Sequence, residues 1–191
     1  MGREFELKFR ADAAVIAEIQ GKYGDFTTIS METTYYDTPD RRLSSLRRTL
    51  RRRMENGVSV CTFKCPHSSG GRGEWEVEAD SIREGIPKLC AQGADPELMS
   101  LTAGGLTEVC GARFTRLAKT LEVPGGIVEL ALDRGVLLGG GKEFPLAEVE
   151  VELKEGSDEA AAAFARQIAA EFRLVPEEKS KFARAMALAV G

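Results

Sequence analysis

Residues 4–10 read EFELKFR, and the fold turns on which way their charged side points. Taken by twos, Phe5, Leu7 and Phe9 form one series, and Glu4, Glu6, Lys8 and Arg10 form the other. That is the alternation of a half-buried strand, in which successive side chains project to opposite faces. For one strand taken alone the default is an apolar face on a core and a charged face in water. The remaining strands decide whether that default holds.

The same period of two recurs along the chain. EWEVEA (74–79) alternates without a break, and IVELALDRG (127–135) and PLAEVEVELK (145–154) follow the same rule. RFTRLAKTLEV (113–123) reads as a strand joined to the next by a Pro124-Gly125-Gly126 turn. TTYYDT (33–38) is strand-like in its Thr and Tyr content and is ended by Pro39-Asp40. GVSVCTFKC (57–65) is β-branched and aromatic. Asn56-Gly57 just before it is a hairpin signal linking it to 50–54, where Arg51 and Arg53 lie opposite Leu50 and Met54. Helices are fewer. Asp12 is placed to cap a short helix carrying Val15, Ile16 and Ile19, and Ser157 to cap an Ala-rich one over 158–172. Pro87 and Pro96 are read as helix starts within 81–108, and Pro176 as the start of a last helix carrying Lys179, Lys181 and Arg184. About eight strands with few helices predict a single α+β domain over 1–191 with a largely antiparallel sheet.

Composition narrows the function. With 191 residues, 43% hydrophobic and 29% charged, the chain is long enough for a sizeable core and is an ordinary globular sequence. A net charge of −4 argues against nonspecific affinity for nucleic acid or an anionic membrane. No stretch approaches the roughly 18 apolar residues of a membrane span, and the N-terminus runs straight into a charged strand rather than a signal peptide. Cys61, Cys65, Cys90 and Cys110 show no framework spacing, so reduced thiols in a cytoplasmic protein are expected.

The polar series of all the strands can then be added up. The acids are Glu4, Glu6, Glu74, Glu76, Glu78, Glu129, Asp133, Glu148, Glu150 and Glu152; the bases are Lys8, Arg10, Arg51, Arg53, Lys64 and Arg116. Like charges two apart on one strand face sit only about 7 Å from each other and repel. Such segregation makes sense if the strands close on themselves, acidic strands facing basic ones, with the apolar faces outside under the helices. Burying unpaired charge is costly, so such an interior must hold water, ions or a charged ligand. Clustered carboxylates bind hard divalent cations and clustered Arg and Lys bind phosphate, which together describe a metal-assisted site for a polyphosphate.

Glu4-Phe5-Glu6-Leu7-Lys8 matches the ExExK signature of the CYTH superfamily, the triphosphate tunnel metalloenzymes. The further matches, in order, are YYDT (35–38), LRRR (50–53), TFK (62–64), EWE (74–76), LALDRG (130–135), EVEVELK (148–154) and SKF (180–182). The chain resembles that family over nearly its whole length. The resemblance implies an eight-stranded antiparallel closed β-barrel, the tunnel, holding a triphosphate and one or two Mg²⁺ or Mn²⁺ ions, with helices packed outside. By the same resemblance Glu4, Glu6, Asp133, Glu148 and Glu150 are the metal and water-handling acids. Lys8, Arg51, Arg53, Lys64, Arg116 and Lys181 are the phosphate ligands, and Lys8, Arg51, Arg53, Glu148 and Glu150 are the catalytic set. Arg113 and Lys119 compete with Arg116 for its place; Arg116 shares a strand face with Thr120, opposite Leu117 and Leu121, which favours it. Glu74, Glu76, Glu129 and Glu152 are additional tunnel acids.

The same residues admit other readings. Arg41 to Arg53 contains seven arginines, which could form a nucleic-acid patch; Arg51 and Arg53 are better placed on phosphate, and Arg41, Arg42, Arg47 and Arg48 on a solvated rim. Cys61, Cys65 and His67 have a faintly zinc-like spacing without a fourth ligand. The expected activity is hydrolysis of inorganic tripolyphosphate to pyrophosphate and phosphate. A class IV-type adenylyl cyclase and a thiamine triphosphatase are the alternatives, and a non-enzymatic binder of polyphosphate or RNA 5′-triphosphate ranks below them. The partner expected is a small anionic substrate, with no membrane, no specific nucleic acid and a possible homodimer.

Overall fold

The structure, a computed structural model, describes residues 5–66 and 72–190. Glu4 and His67 therefore lie outside the described residues. The strands are β1 (Glu6–Arg10), β2 (Thr27–Asp37), β3 (Thr49–Glu55), β4 (Val58–Pro66), β5 (Arg72–Glu78), β6 (Thr107–Val123), β7 (Gly126–Gly139), β8 (Lys142–Gly156) and β9 (Val175–Pro176). The helices are α1 (Ala13–Tyr23), α2 (Arg42–Ser45), α3 (Ile82–Ala91), α4 (Leu98–Thr102), α5 (Asp158–Phe172) and α6 (Lys181–Val190). Among the described residues, no helix is long and apolar enough to cross a membrane.

The fold is α+β, and every strand pair is antiparallel. The sheet has nine strands in the order β5-β4-β3-β2-β6-β7-β8-β1-β9. The strands number nine rather than the expected eight; β5 and β9 are the two ends of the order, and among the described residues no ladder joins them. β9 is a two-residue strand whose Pro176 has no N–H to offer a further neighbour.

Local signals account for most of the boundaries. Asp12 Oδ1 accepts from the Val15 N–H at 2.9 Å and Ser157 Oγ from the Ala160 N–H at 3.2 Å, so both expected caps are made. Asn56 and Gly57 turn the β3–β4 hairpin with φ of 48° and 88°, the paired left-handed conformation that tight hairpins demand. Pro87 does not start a helix but sits inside α3, which begins after Ser81. Pro176 belongs to β9, and α6 starts five residues later.

Residues paired across a ladder share a face, so the sheet can be read from strand to strand. One row runs Arg10, Glu148, Asp133, Arg116 and Ile29 across β1, β8, β7, β6 and β2. A second runs Lys8, Glu150, Ala131 and Ala118, and a third Glu6, Glu152, Glu129 and Thr120. On the other half, Glu76, Thr62, Arg51 and Tyr35 form a row, with Glu74 beside Lys64 and Arg53 beside Thr33. All the strand-borne site candidates among the described residues therefore share one face.

The opposite face is apolar and carries two cores. Phe9, Val128, Leu130, Leu132, Val149 and Val151 pack under Ile16 and Ile19 of α1 and Phe164 and Ile168 of α5. Leu50, Phe63 and Val77 pack under Ile82, Ile86 and Leu89 of α3 and Leu98 of α4. Burial of each such side chain contributes about 1.5–3 kcal/mol.

Not every helix is outside, and here a second expectation is corrected. Helix α6 lies on the charged face, where Ala185 and Leu188 pack on Met31, Phe114, Leu137 and Leu146. These four lie in neighbouring rows of the same parity as Arg116, Asp133 and Glu148, and so on the same face. Gly139 makes the approach possible: a Cβ there would stand 2.2 Å from the Ala185 carbonyl oxygen. Phe182 of α6 meets Tyr35 of β2 with ring centroids 5.1 Å apart.

Candidate active site

Strands β7 and β8 place three carboxylates on the charged face. Asp133, Glu148 and Glu150 are buried, and their oxygens lie within 4.8 Å of one another. Carboxylates so close are tolerable only when matched by cations. Arg116 on β6 donates through Nε and NH2 to Asp133 at 2.7 Å each, a bidentate fork, and NH2 also reaches Glu150. Lys181, the first residue of α6, places Nζ 2.8 Å from Asp133 and 2.6 Å from Glu150, and bonds Glu148 as well. Arg184, one turn on, takes the second oxygen of Glu148. Three buried carboxylates thus face three cations drawn from one strand and one helix.

The electrostatics follow from that packing. Burial alone would push Glu150 up, but Lys181 and Arg116 outweigh it and hold its carboxyl well below the usual range. For Glu148 burial prevails over Lys181, and its carboxyl is raised. Burial opposes the charge on Lys181, yet Glu150, Asp133 and Glu148 together raise its pKa. This face therefore holds oxygen donors of the kind that suit a hard divalent ion, neutralised by protein cations.

The second cluster is basic. Arg51 and Arg53 project from β3 towards Glu74 and Glu76 on β5, with N–O separations of 3.6–3.8 Å, and Arg53 also pairs with Glu55. Lys64 Nζ is 3.0 Å from Glu74. Despite these partners, the Nε atoms of both arginines are buried without a hydrogen-bond acceptor. Burial and the neighbouring charge of Arg51 lower the Arg53 pKa. Two adjacent guanidiniums with buried Nε donors suit a ligand rich in anionic oxygen, such as a phosphate.

A model of the CYTH domain family matches residues 2–186. The chain belongs to the CYTH family. Among curated relatives, an inorganic triphosphatase of Haemophilus influenzae is 27% identical over 164 residues, covering 82% of this chain and 47% of that protein. The chain thus spans about half the length of that relative. Among solved structures, a Pyrococcus horikoshii OT3 protein superposes with a TM-score of 0.64 at 25% identity, covering 96% of this chain and 98% of that one. A Hippeastrum adenylyl cyclase candidate with a dominant triphosphatase activity superposes with a TM-score of 0.67 at 21% identity, covering 97% and 95%. That last likeness is one of fold.

Within this CYTH fold the sequence-derived candidates fall into place unevenly. Asp133, Glu148, Glu150, Arg116 and Lys181 are brought together in one cluster, and Arg51, Arg53, Lys64, Glu74 and Glu76 in another. Glu6 and Lys8 share the face, 3.8 Å apart, and Glu6 is near enough to act on the charge of Arg116. Glu129 and Glu152 sit in the outermost row and are bridged by Lys154 at 3.8 and 2.9 Å. Arg113 points away to Glu143, and the Lys119 ammonium donates to the Tyr23 and Gly24 carbonyls, so neither joins Arg116 in the cluster.

Some members of the site were not singled out from sequence. Arg184 follows Lys181 by three residues, and that helical spacing was the available signal. Glu177, buried between Arg10 and Arg184, had none. Tyr35 lies against Arg51 and helps keep its guanidinium charged despite burial. Asp37 of the YYDT stretch serves structure: its carboxylate accepts from the Thr38, Leu43 and Ser44 N–H groups and holds α2 on the end of β2.

Proposed function

We propose that this CYTH protein is a metal-assisted triphosphatase acting on inorganic tripolyphosphate. The observation that carries the reading is the coexistence, on one face of one sheet, of two arginines with spare buried donors and a compact group of three carboxylates. A simple anion binder would gain nothing from acids beside its ligand. The finer picture, in which this face lines a tunnel around the substrate, belongs to the same proposal.

In this reading Arg51, Arg53 and Lys64 hold the phosphoryl oxygens at one end of the substrate through charge-assisted bonds. Lys8, Arg116 and Lys181 meet the rest of the chain and offset charge that grows in the transition state. The oxygen donors of Asp133, Glu148 and Glu150 suit Mg²⁺ or Mn²⁺ by donor type and spacing. Such an ion supplies Lewis-acid stabilisation and orients the phosphates. In this reading Glu148 and Glu150 also position the attacking water, as carboxylate acceptors of the same cluster.

The test is phosphate release from tripolyphosphate, thiamine triphosphate and ATP, side by side with Mg²⁺ or Mn²⁺, with cyclic AMP measured in the ATP arm. Hydrolysis of tripolyphosphate above the other two supports the proposal. Tripolyphosphate left intact while ATP yields cyclic AMP and pyrophosphate overturns it in favour of a cyclase.

A further inference from the structure

Glu148 is held differently from the other two carboxylates. Its Oε1 is 2.5 Å from Lys181 Nζ, and its Oε2 is engaged by an Arg184 NH2 group. Lys181 is shared among Asp133, Glu148 and Glu150, whereas Arg184 pairs only with Glu148 in that group. Arg184 is in turn anchored from behind. Its NH1 lies 3.7 Å from Glu177 Oε2, and the same oxygen is 3.2 Å from Arg10 Nε at the end of β1. The Glu177 backbone N–H donates to the Lys8 carbonyl at 2.9 Å, and Glu177 Oε1 accepts from the Lys179 N–H at 3.0 Å. A line of alternating charges, Arg10, Glu177, Arg184 and Glu148, therefore joins the sheet edge to the carboxylate cluster.

We infer that Arg184 is a positioning residue for the proposed reaction: it commits Oε2 of Glu148, so that Oε1, paired with Lys181, is the oxygen a metal or the attacking water would take over from that ammonium. A guanidinium held between Glu148 and Glu177 by ion pairs constrains the rotation of the Glu148 carboxylate. Arg184 is also one of three cations balancing three carboxylates, so it competes electrostatically with any metal that binds there. The inference rests on the triphosphatase reading for its kinetic arm but not for its binding arm.

The experiment compares wild type, Arg184→Met and Arg184→Lys. Loss of a residue that orients a metal-site carboxylate typically costs 10–100-fold, so kcat on tripolyphosphate is expected to fall by about that factor in Arg184→Met. The KM is expected to rise by no more than about threefold, because Arg184 orients an acid rather than gripping phosphate. Arg184→Lys restores the charge without the planar fork, and its kcat lies between the other two. In parallel, Mn²⁺ alone is titrated into each protein and free Mn²⁺ is read by electron paramagnetic resonance. Arg184→Met binds Mn²⁺ about tenfold more tightly than wild type, having lost a competing cation, and Arg184→Lys binds it as wild type does. Unchanged kcat in both variants, or a raised KM with kcat preserved, overturns the positioning role. Mn²⁺ binding unchanged in Arg184→Met overturns the inference, and binding weakened there overturns the competition between Arg184 and the metal while fitting the orientation of Glu148. A wild type inactive on every triphosphate overturns the proposed function, while the Mn²⁺ arm still judges Arg184.

Discussion

Replacing Lys181 by Met removes the cation shared by Asp133, Glu148 and Glu150 while keeping most of the length of the side chain. Each of the three N–O contacts, at 2.5–2.8 Å, is worth about 6 kcal/mol of Coulomb energy at an effective dielectric of 20. Much of that is offset by the cost of burying the ammonium, whose side chain is only 12% exposed. Removing one partner of a buried ion pair typically destabilises by about 3–5 kcal/mol, since the carboxylates stay buried and lose a counter-charge. For a chain of this size that lowers Tm by roughly 6–20 °C. Differential scanning calorimetry at neutral pH measures it. Because the deficit is one of positive charge, millimolar Mn²⁺ should raise the Tm of Lys181→Met by more than that of wild type. A Tm within about 2 °C of wild type, with no differential response to Mn²⁺, would refute the reasoning.

The remaining predictions test other parts of the structure. Arg53→Met should cost no more than about 1 kcal/mol, because burial and Arg51 already disfavour its charge, yet lower kcat/KM on tripolyphosphate by about 10²-fold; chemical denaturation and steady-state kinetics check the two halves. Gly139→Ala puts a methyl group against the Ala185 carbonyl and should shift α6, reducing activity through Lys181 while the apolar cores on the other face stay folded; amide exchange localised to α6 reads this. Lys181 and Arg116 hold the Glu150 pKa below its unfolded value despite burial, so its contribution to stability is complete above the unfolded carboxylate range and is lost as pH falls below it. The Tm gap between wild type and Glu150→Gln should accordingly narrow on acidification below about pH 4.

Alternation made most of the sheet legible. The period of two in 5–10, 74–79, 127–135 and 145–154 assigns each side chain a face, and the ladders keep those assignments across neighbouring strands. The charges were legible as a set but not in their partners. Acids and bases were expected to face each other across an enclosed space, whereas Arg116 with Asp133 and Lys64 with Glu74 are immediate ladder neighbours. Segregation of charge by strand produces either arrangement, so period alone does not choose between them. Helix α6 was misplaced for a related reason: Ala185 and Leu188 give it an apolar stripe like that of any covering helix, and nothing local says which sheet face it covers. The determinant is remote, in Gly139 and in the small apolar patch of Met31, Phe114 and Leu137. The short strand β9 was not legible, because its two residues are too few to show alternation.

The central claim is that both clusters of one sheet face act on a single triphosphate. Phosphorus NMR of tripolyphosphate incubated with the wild type, with Arg51→Met and with Glu150→Gln tests it most directly. The account predicts one phosphate and one pyrophosphate per tripolyphosphate from the wild type, only when a divalent ion is present, and no turnover by either variant. Hydrolysis that survives in either variant, or that proceeds without a divalent ion, would contradict it.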